Sequence, residues 1–409
     1  MKYVIIGNSS AAIGAVEGIR KYDTKGEITI VSDESHHTYS RPLISYLLQG
    51  KTTEEKMKYR GNDFYTVNNC KLLLNTKVTK IDPQEKEVTL HTGSKLSYDK
   101  LLVATGSSPF IVPIPGLDTV ENKFTFTTLD DAKALDSVLK EDSQVLVVGA
   151  GLIGLKCCEA IAKKTKCVCI DLSSRVLSSI LDDESSNIIK THLESNGIEV
   201  YLNTQVKEFR KNEALLEGNK TIRFDALVLA IGVRPNIELI KEAGGETQRG
   251  ILIDEDCKTS LSDIYAAGDC CESIDASTGE RKIMALLPNA YMQGECAGIN
   301  MTGAEYTFDK AIPMNAIGFF GVHIITAGNY VGDIYYEQEG ENYKKLFYSD
   351  NKLNGFILVG NIEKAGIYTS LIREKTPLDS IDFDLICKEP TLMAFSKEIR
   401  IEKLGGGVR

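Results

Sequence analysis

Two stretches of the chain carry the residue types that hold a dinucleotide. The first reads Lys2-Tyr-Val-Ile-Ile-Gly7-Asn-Ser9-Ser10-Ala11-Ala12. The second reads Gln144-Val-Leu-Val-Val-Gly149-Ala-Gly151-Leu152-Ile153-Gly154. Each is an apolar strand, a tight turn of small residues and the start of a helix. Small residues let backbone N–H groups approach a pyrophosphate, and a helix N-terminus favours its negative charge. An acid follows each turn by roughly 20–26 residues, at the end of another strand, where a carboxylate accepts from a ribose hydroxyl. These acids are Asp33, with Glu34 beside it, and Asp171. One such turn is weak evidence, because glycine-rich turns also serve packing. Two, each with its acid, predict two dinucleotides in one chain and electron transfer between them.

A third signal is Tyr265-Ala-Ala-Gly268-Asp269. An apolar strand that delivers Gly-Asp sets a carboxylate against a ligand the backbone can approach closely. The alternative is a strand running into a type I turn, where Asp is common. Beside the doubled fingerprint, the ligand reading is preferred.

The elements that must position these residues lie along 409 residues, too many for one core and suited to two or three domains. A formal charge of −10 argues against nucleic acid and acidic membrane surfaces as partners. No apolar run approaches the roughly 20 residues of a membrane span, and a strand beginning at residue 3 is expected to leave no room for a signal peptide. Ten cysteines include the adjacent pairs Cys157-Cys158 and Cys270-Cys271, with Cys167 and Cys169 flanking one residue, and no CxxC. Such spacings fit neither a zinc site nor a disulfide framework. They predict reduced, mostly buried thiols in a cytoplasmic protein.

Residues 2–32 read as strand, helix (about 11–21) and strand, with Gly26 as the breaker. Residues 33–75 read as loop and helix, with Ser40-Arg41-Pro42 at a turn. Residues 77–105 alternate like antiparallel strands at 78–81, 87–91 and 100–104, with Gly93 as the hairpin turn. The cluster Pro109, Pro113, Pro115, Gly116 suits a crossover between domains. The second unit closes near Ala226–Gly232, and residues 236–245 lead the chain back. Short strands at 251–268, a helix at about 288–301, strand-like runs at 332–336, 343–348 and 356–359, and a helix near 364–374 complete the expectation.

Five motifs occur in order: the first fingerprint, Leu102-Val-Ala104-Thr105-Gly106, the second fingerprint, Leu229-Ala-Ile231-Gly232-Val-Arg-Pro235, and Tyr265-Ala-Ala-Gly268-Asp269. The set spans residues 2–269. It resembles the FAD-dependent pyridine nucleotide-disulfide oxidoreductase superfamily, which includes disulfide reductases and ferredoxin and rubredoxin reductases. The resemblance implies an α/β fold of two Rossmann-like dinucleotide-binding domains (three-layer ββα type) plus a C-terminal α+β domain. The expected divisions are 1–112 with 240–308 for FAD, 113–239 for NAD, and 309–409 as the third domain.

By the same resemblance, Gly7, Ser9, Ser10, Ala11 and Ala12 cradle the FAD pyrophosphate, and Asp33 or Glu34 binds the adenosine ribose. Arg41, followed by Pro42, lies near the FAD phosphates, and Val78 offers a backbone contact to adenine. Asp269, after Gly268, meets the ribityl–phosphate region, and the helix beginning near Pro288 points at the flavin ring. Ala104, Thr105 and Gly106, and Ile231 and Gly232, also line the cofactors. Gly149, Gly151, Leu152, Ile153 and Gly154 take the nicotinamide cofactor's pyrophosphate. Ser9 and Ala12 depart from the usual glycines, and their small size keeps the turn workable.

Asp171 favours NADH over NADPH, since a carboxylate accepts from a free 2′-hydroxyl and repels a 2′-phosphate. Arg175 could soften that repulsion, but is read as a solvated helix-start residue. The resemblance also bears on the electron acceptor. Glutathione-reductase-type enzymes carry an early Cys-x4-Cys, and here the only cysteine before residue 157 is Cys70. NADH oxidases, NADH peroxidases and coenzyme A-disulfide reductases carry one redox cysteine where this chain has Arg41, in Tyr39-Ser40-Arg41-Pro42-Leu43. They also commonly carry histidine where Ser10 stands. Without a thiolate beside the flavin there is no second two-electron carrier. The expected acceptor is therefore an external iron–sulfur protein of rubredoxin or ferredoxin type, with no metal on this chain. The alternatives are an NADH oxidase or small-molecule reductase, and an NADH-responsive redox sensor. A homodimer through the tail is left open.

Two catalytic candidates depart from relatives that pair a lysine with a glutamate: Tyr46 and Lys156 take those places. Lys156, one turn into the NAD helix, either sets a cation near the flavin and raises its potential or reaches to solvent. Tyr46 is either a stacking ring or core. His36-His37 is read as contacting solvent or phosphate, Cys270-Cys271 as structural, and Asp182-Asp-Glu184 as a helix-start face.

Overall fold

The computed structural model describes residues 1–404 and divides into two compact units. The first comprises Met1–Ser174, Glu194–Ile274 and Arg281–Ala311. The second comprises Arg175–Leu193, Asp275–Glu280 and the chain from Ile312 on.

The first unit contains the same construction twice. One five-stranded sheet runs in the order Ile264–Ala266, Lys100–Val103, Lys2–Ile6, Glu27–Val31, Cys70–Leu73, with every neighbour parallel. The other runs Ile198–Tyr201, Lys166–Ile170, Gln144–Val148, Ala226–Leu229, Lys123–Phe124, again parallel. Continuous apolar runs form these strands because a parallel strand is covered on both faces. Ile5, Leu102, Val147 and Leu227 are accordingly inaccessible to solvent. Each sheet shares its core with an antiparallel meander: Val78–Asp82, Glu87–Leu90 and Lys95–Ser97 in the first, Val206–Arg210, Glu213–Leu216 and Thr221–Arg223 in the second.

Three expectations need correction. Residues 100–104 alternate too little to be antiparallel. Leu101, Leu102 and Val103 are all buried, and the strand sits inside the parallel sheet between Lys2–Ile6 and Ile264–Ala266. The third antiparallel strand is instead Lys95–Ser97, across the hairpin at Gly93. Region 33–75, expected as loop and helix, also supplies the short edge strand Cys70–Leu73. Its four residues, three half-buried and Lys71 exposed, give too little alternation to read. The second meander was likewise not expected.

The Ser10–Tyr22 and Leu287–Met301 helices cross with their backbones in contact. A Cβ added at Gly14 would lie 2.2 Å from the Tyr291 carbonyl oxygen, and one at Gly294 would lie 1.9 Å from that of Ala11. Glycine is required because no side chain fits between the two helices. The crossing fixes where both helices begin, and both begin at the expected cofactor site.

The second unit is built on an antiparallel sheet in the order Met314–Phe319, Val322–Gly328, Lys352–Val359, Asn342–Ser349, Asp333–Glu339. The Ala365–Arg373 helix covers it through Tyr368, Leu371 and Ile372. Residues 175–193 belong to this unit. Tyr330 Oη donates to Ile180 O (2.8 Å), and Lys345 Nζ reaches Asp182 at 2.8 Å. Asp182 accepts from Ser185 N (3.0 Å) ahead of the Asp183–Ser195 helix, as the acidic helix start predicted. Among the described residues no helix is long and apolar enough to cross a membrane.

Candidate active site

The two fingerprint turns form by one rule. Gly7 (φ +114°) and Gly149 (φ +117°) end their strands in a conformation that favours glycine. A Cβ on Gly7 would lie 2.1 Å from Ala104 O, and one on Gly149 would lie 2.2 Å from Ala230 O. Each turn is therefore pressed against the exit of the neighbouring strand. That contact brings Ala104, Thr105 and Gly106 beside the first fingerprint, and Ile231 and Gly232 beside the second.

Three helices start with their first N–H groups uncapped by a side chain. They are Ser10–Tyr22 after Ser9, Leu152–Ile161 after Gly151, and Leu287–Met301 after Leu286, with Pro288 in the first turn. A Cβ at Gly151 would meet nothing within 4 Å. Two uncapped N-termini behind glycine turns fit two pyrophosphates, and the third fits an electron-rich ring. The residues present therefore fit both dinucleotides.

The acids behave differently. Asp33 is exposed, while Glu34 turns inward and pairs with Arg41 and with Tyr39 Oη (2.8 Å). Arg41 also donates to Thr127 O (3.2 Å). Burial opposes its charge, but Tyr39, Glu34 and, more weakly, Asp269 hold its pKa above the ordinary arginine value. Asp269 receives Ser107 Oγ at 3.5 Å. Burial pushes its carboxyl pKa up, with Arg41 and Ser107 opposing. Asp171 accepts from Ala150 N and Ser173 N, both at 2.6 Å, and so closes its own fingerprint turn. A carboxylate offers about four acceptor positions, which leaves room for a ribose hydroxyl. Val78 is buried at the start of its meander, opposite Leu90.

Lys156 neither reaches into open solvent nor stands apart. Its ammonium pairs with Glu159 on the same helix and lies 5.1 Å from the Tyr46 ring centroid, while Lys51 lies 5.6 Å from that same ring. Glu159, buried, was missed by sequence reasoning, although its i,i+3 spacing from Lys156 was visible. Asn8 and Tyr65 were also missed. Tyr65 Oη donates to Asn8 Oδ1 (2.7 Å) and accepts from Thr38 N (3.2 Å), and Asn8 Nδ2 donates to His36 O (3.3 Å). The His36-His37 loop is thus tied to the first fingerprint, and His36 pairs with Asp130 at 2.7 Å.

All ten cysteines are free thiols. Cys270 and Cys271 Sγ atoms lie 3.6 Å apart, unbonded and buried. The turn at Arg41–Leu43 holds no sulfur. Among the described residues no group of three or more His, Cys, Asp or Glu side chains could hold a metal.

Residues 1–294 match the family described as pyridine nucleotide-disulphide oxidoreductase, well over half of the chain. The chain belongs to that family. It is an NAD(P)H-dependent flavin oxidoreductase whose cofactors are FAD and NADH. Residues 313–376 match the rubredoxin NAD+ reductase C-terminal domain. Over 391 residues the chain is 32% identical to the NADH-dependent phenylglyoxylate dehydrogenase subunit epsilon of Aromatoleum evansii, covering 92% of each. It is 27% identical over 386 residues to the NADH-rubredoxin oxidoreductase of Clostridium acetobutylicum, covering 93% of this chain and 96% of that one. A putidaredoxin reductase solved in covalent complex with putidaredoxin superposes with a TM-score of 0.88 at 25% identity over 99% of each chain.

Proposed function

We propose that this oxidoreductase carries electrons from NADH through FAD to a small iron–sulfur protein of rubredoxin or ferredoxin type on another chain. The observation that carries the reading is the occupant of the 39–43 turn. Arg41, locked to Glu34, stands there in place of a redox thiol. When bound, FAD supplies a carrier that accepts a hydride and releases electrons one at a time. The protein's share is binding, alignment and electrostatics.

In this reading residues 1–112 with 240–308 hold FAD, residues 113–239 hold NADH, and residues 309–409 form the third domain. Gly7 to Ala12 and the Leu287–Met301 helix N-terminus receive the FAD phosphates and ring. Arg41 and Asp269 flank the phosphate and ribityl region. Gly149 to Gly154 and Asp171 receive NADH. Lys156 supplies a positive charge near the flavin, held in place by Glu159 and Tyr46. Relatives named for rubredoxin and putidaredoxin support the class of acceptor. Ten unpaired thiols fit a reducing cytoplasm.

The test is anaerobic stopped-flow mixing. NADH should bleach the flavin, and oxidised rubredoxin or ferredoxin should restore its colour. A flavin that NADH does not bleach contradicts the reading. Reoxidation by oxygen but by neither protein would replace the acceptor with oxygen.

A further inference from the structure

The chain carries a second internal repeat beyond the fingerprints. Ala104-Thr-Gly106-Ser-Ser-Pro109 and Ala230-Ile-Gly232-Val-Arg-Pro235 each leave a parallel strand at Ala, pass a glycine of positive φ (+64° and +113°), and reach a proline three residues later. The two copies pair with each other, antiparallel, as Ser107↔Pro235, Ser108↔Arg234 and Pro109↔Val233. The backbone bonds flanking the pair are related in the same way. Phe110 N donates to Gly232 O, and Asn236 N donates to Gly106 O, both at 2.9 Å.

Neither Pro109 nor Pro235 has an N–H to give, so the ribbon's own ladder is short of donors. Side chains reinforce it, differently on each half. Asn236 Nδ2 donates to Thr105 O, its Oδ1 accepts from Ser108 Oγ, and its carbonyl accepts from Thr105 Oγ1, all at 2.8 Å. On the other half the Arg234 guanidinium stacks on the Phe110 ring at 3.8 Å. Ser107, inside the ribbon, touches Asp269.

We infer that this ribbon is the positioning device for hydride transfer. It joins the strand exit beside the first fingerprint to the strand exit beside the second, and Asn236 is its principal lock. The inference rests on the reading that these two exits line FAD and NADH. Hydride transfer depends steeply on the distance and alignment of the two rings. A ribbon held by one amide and one stacked guanidinium fixes that alignment through the backbone. Asn236 and Arg234 are therefore positioning residues, not catalytic ones.

The experiment uses the full-length FAD-loaded protein and follows flavin bleaching by NADH in stopped flow. In Asn236→Ala, FAD stays bound, the half-saturating NADH stays within about threefold of wild type, and the limiting rate falls by about tenfold. Amide hydrogen exchange on the FAD-loaded protein without NADH supplies a readout independent of turnover. The peptide containing Phe110 exchanges faster in the variant, while the Ser10–Tyr22 helix does not change.

A FAD-loaded Asn236→Ala variant with a limiting rate within about twofold of wild type overturns the inference, as does a variant altered only in half-saturating NADH. If Asn236→Ala fails to fold or to hold FAD, Arg234→Ala decides. Its guanidinium is exposed, and the limiting rate is expected to fall by about threefold with an unchanged melting temperature. An unchanged rate there overturns the inference. Failure of the underlying reading shows separately, as wild-type flavin that NADH does not bleach, and it removes the inference as well.

Discussion

Arg41 and Glu34 hold each other beside the first fingerprint, with Tyr39 Oη donating to Glu34. Removing the guanidinium leaves a half-buried carboxylate without its cation, and breaking such a pair costs more than the pair itself contributes. Arg41→Ala is expected to weaken FAD binding by at least about tenfold, and Arg41→Lys by less, because an ammonium keeps the positive charge but not the fork of donors. Titration of apoprotein with FAD by flavin fluorescence measures both. Asp171 caps its own turn, and in the proposed reading it also faces the ribose. Asp171→Asn is expected to lower kcat/KM for NADH by about 5–20-fold, the loss of one charge-assisted hydrogen bond, with no matching gain for NADPH. The two glycine turns were legible at this scale, because glycine after an apolar strand is a local pattern. Glu159, Tyr65 and Asn236 were not. A buried carboxylate and a neutral amide carry no local pattern, and the partners of Asn236 lie at Thr105 and Ser108, more than a hundred residues away.

At the scale of elements, the crossing of the Ser10–Tyr22 and Leu287–Met301 helices sets where their N-termini point, and the proposed flavin site depends on it. Gly294→Ala puts a methyl group 1.9 Å from the Ala11 carbonyl oxygen, so the helices must separate. Overpacking of this kind costs about 1–3 kcal/mol. The melting temperature should fall in the apoprotein, and bound FAD should restore less of it than in wild type if the displaced helix start binds FAD as proposed. Thermal melts with and without FAD measure both effects. Both helices were expected from the sequence, at about 11–21 and 288–301. The Lys100–Val103 strand could not be placed correctly, because burial on both faces erases the alternation that separates parallel from antiparallel strands.

At the scale of the whole molecule, residues 175–193 follow the Asp171 strand in sequence but belong to the unit built on the C-terminal sheet. Asp182 is the centre of that attachment, with Lys345 and Tyr343 Oη as partners. Burial alone would raise its carboxyl pKa, but Lys345, Ser185 and Tyr343 hold it below the ordinary value. A depressed folded-state pKa adds stability that is present above the unfolded pKa of about 4 and is lost as pH falls through the folded value. Asp182→Asn should therefore cost about 1–2 kcal/mol at pH 7, discounted for partial exposure, and the cost should shrink below pH 4. Melts of the two proteins across pH check the sign. No sequence pattern signalled this division, because unit membership is decided by long-range contacts.

In the proposed function FAD alone stores electrons, with no thiol relay beside it. Anaerobic titration of the purified holoprotein with sodium dithionite counts that capacity. The account predicts complete bleaching once two electrons per FAD have been added, with no lag before it and no further uptake after it. Uptake of four electrons per FAD, together with new free thiols in the reduced protein, would contradict it.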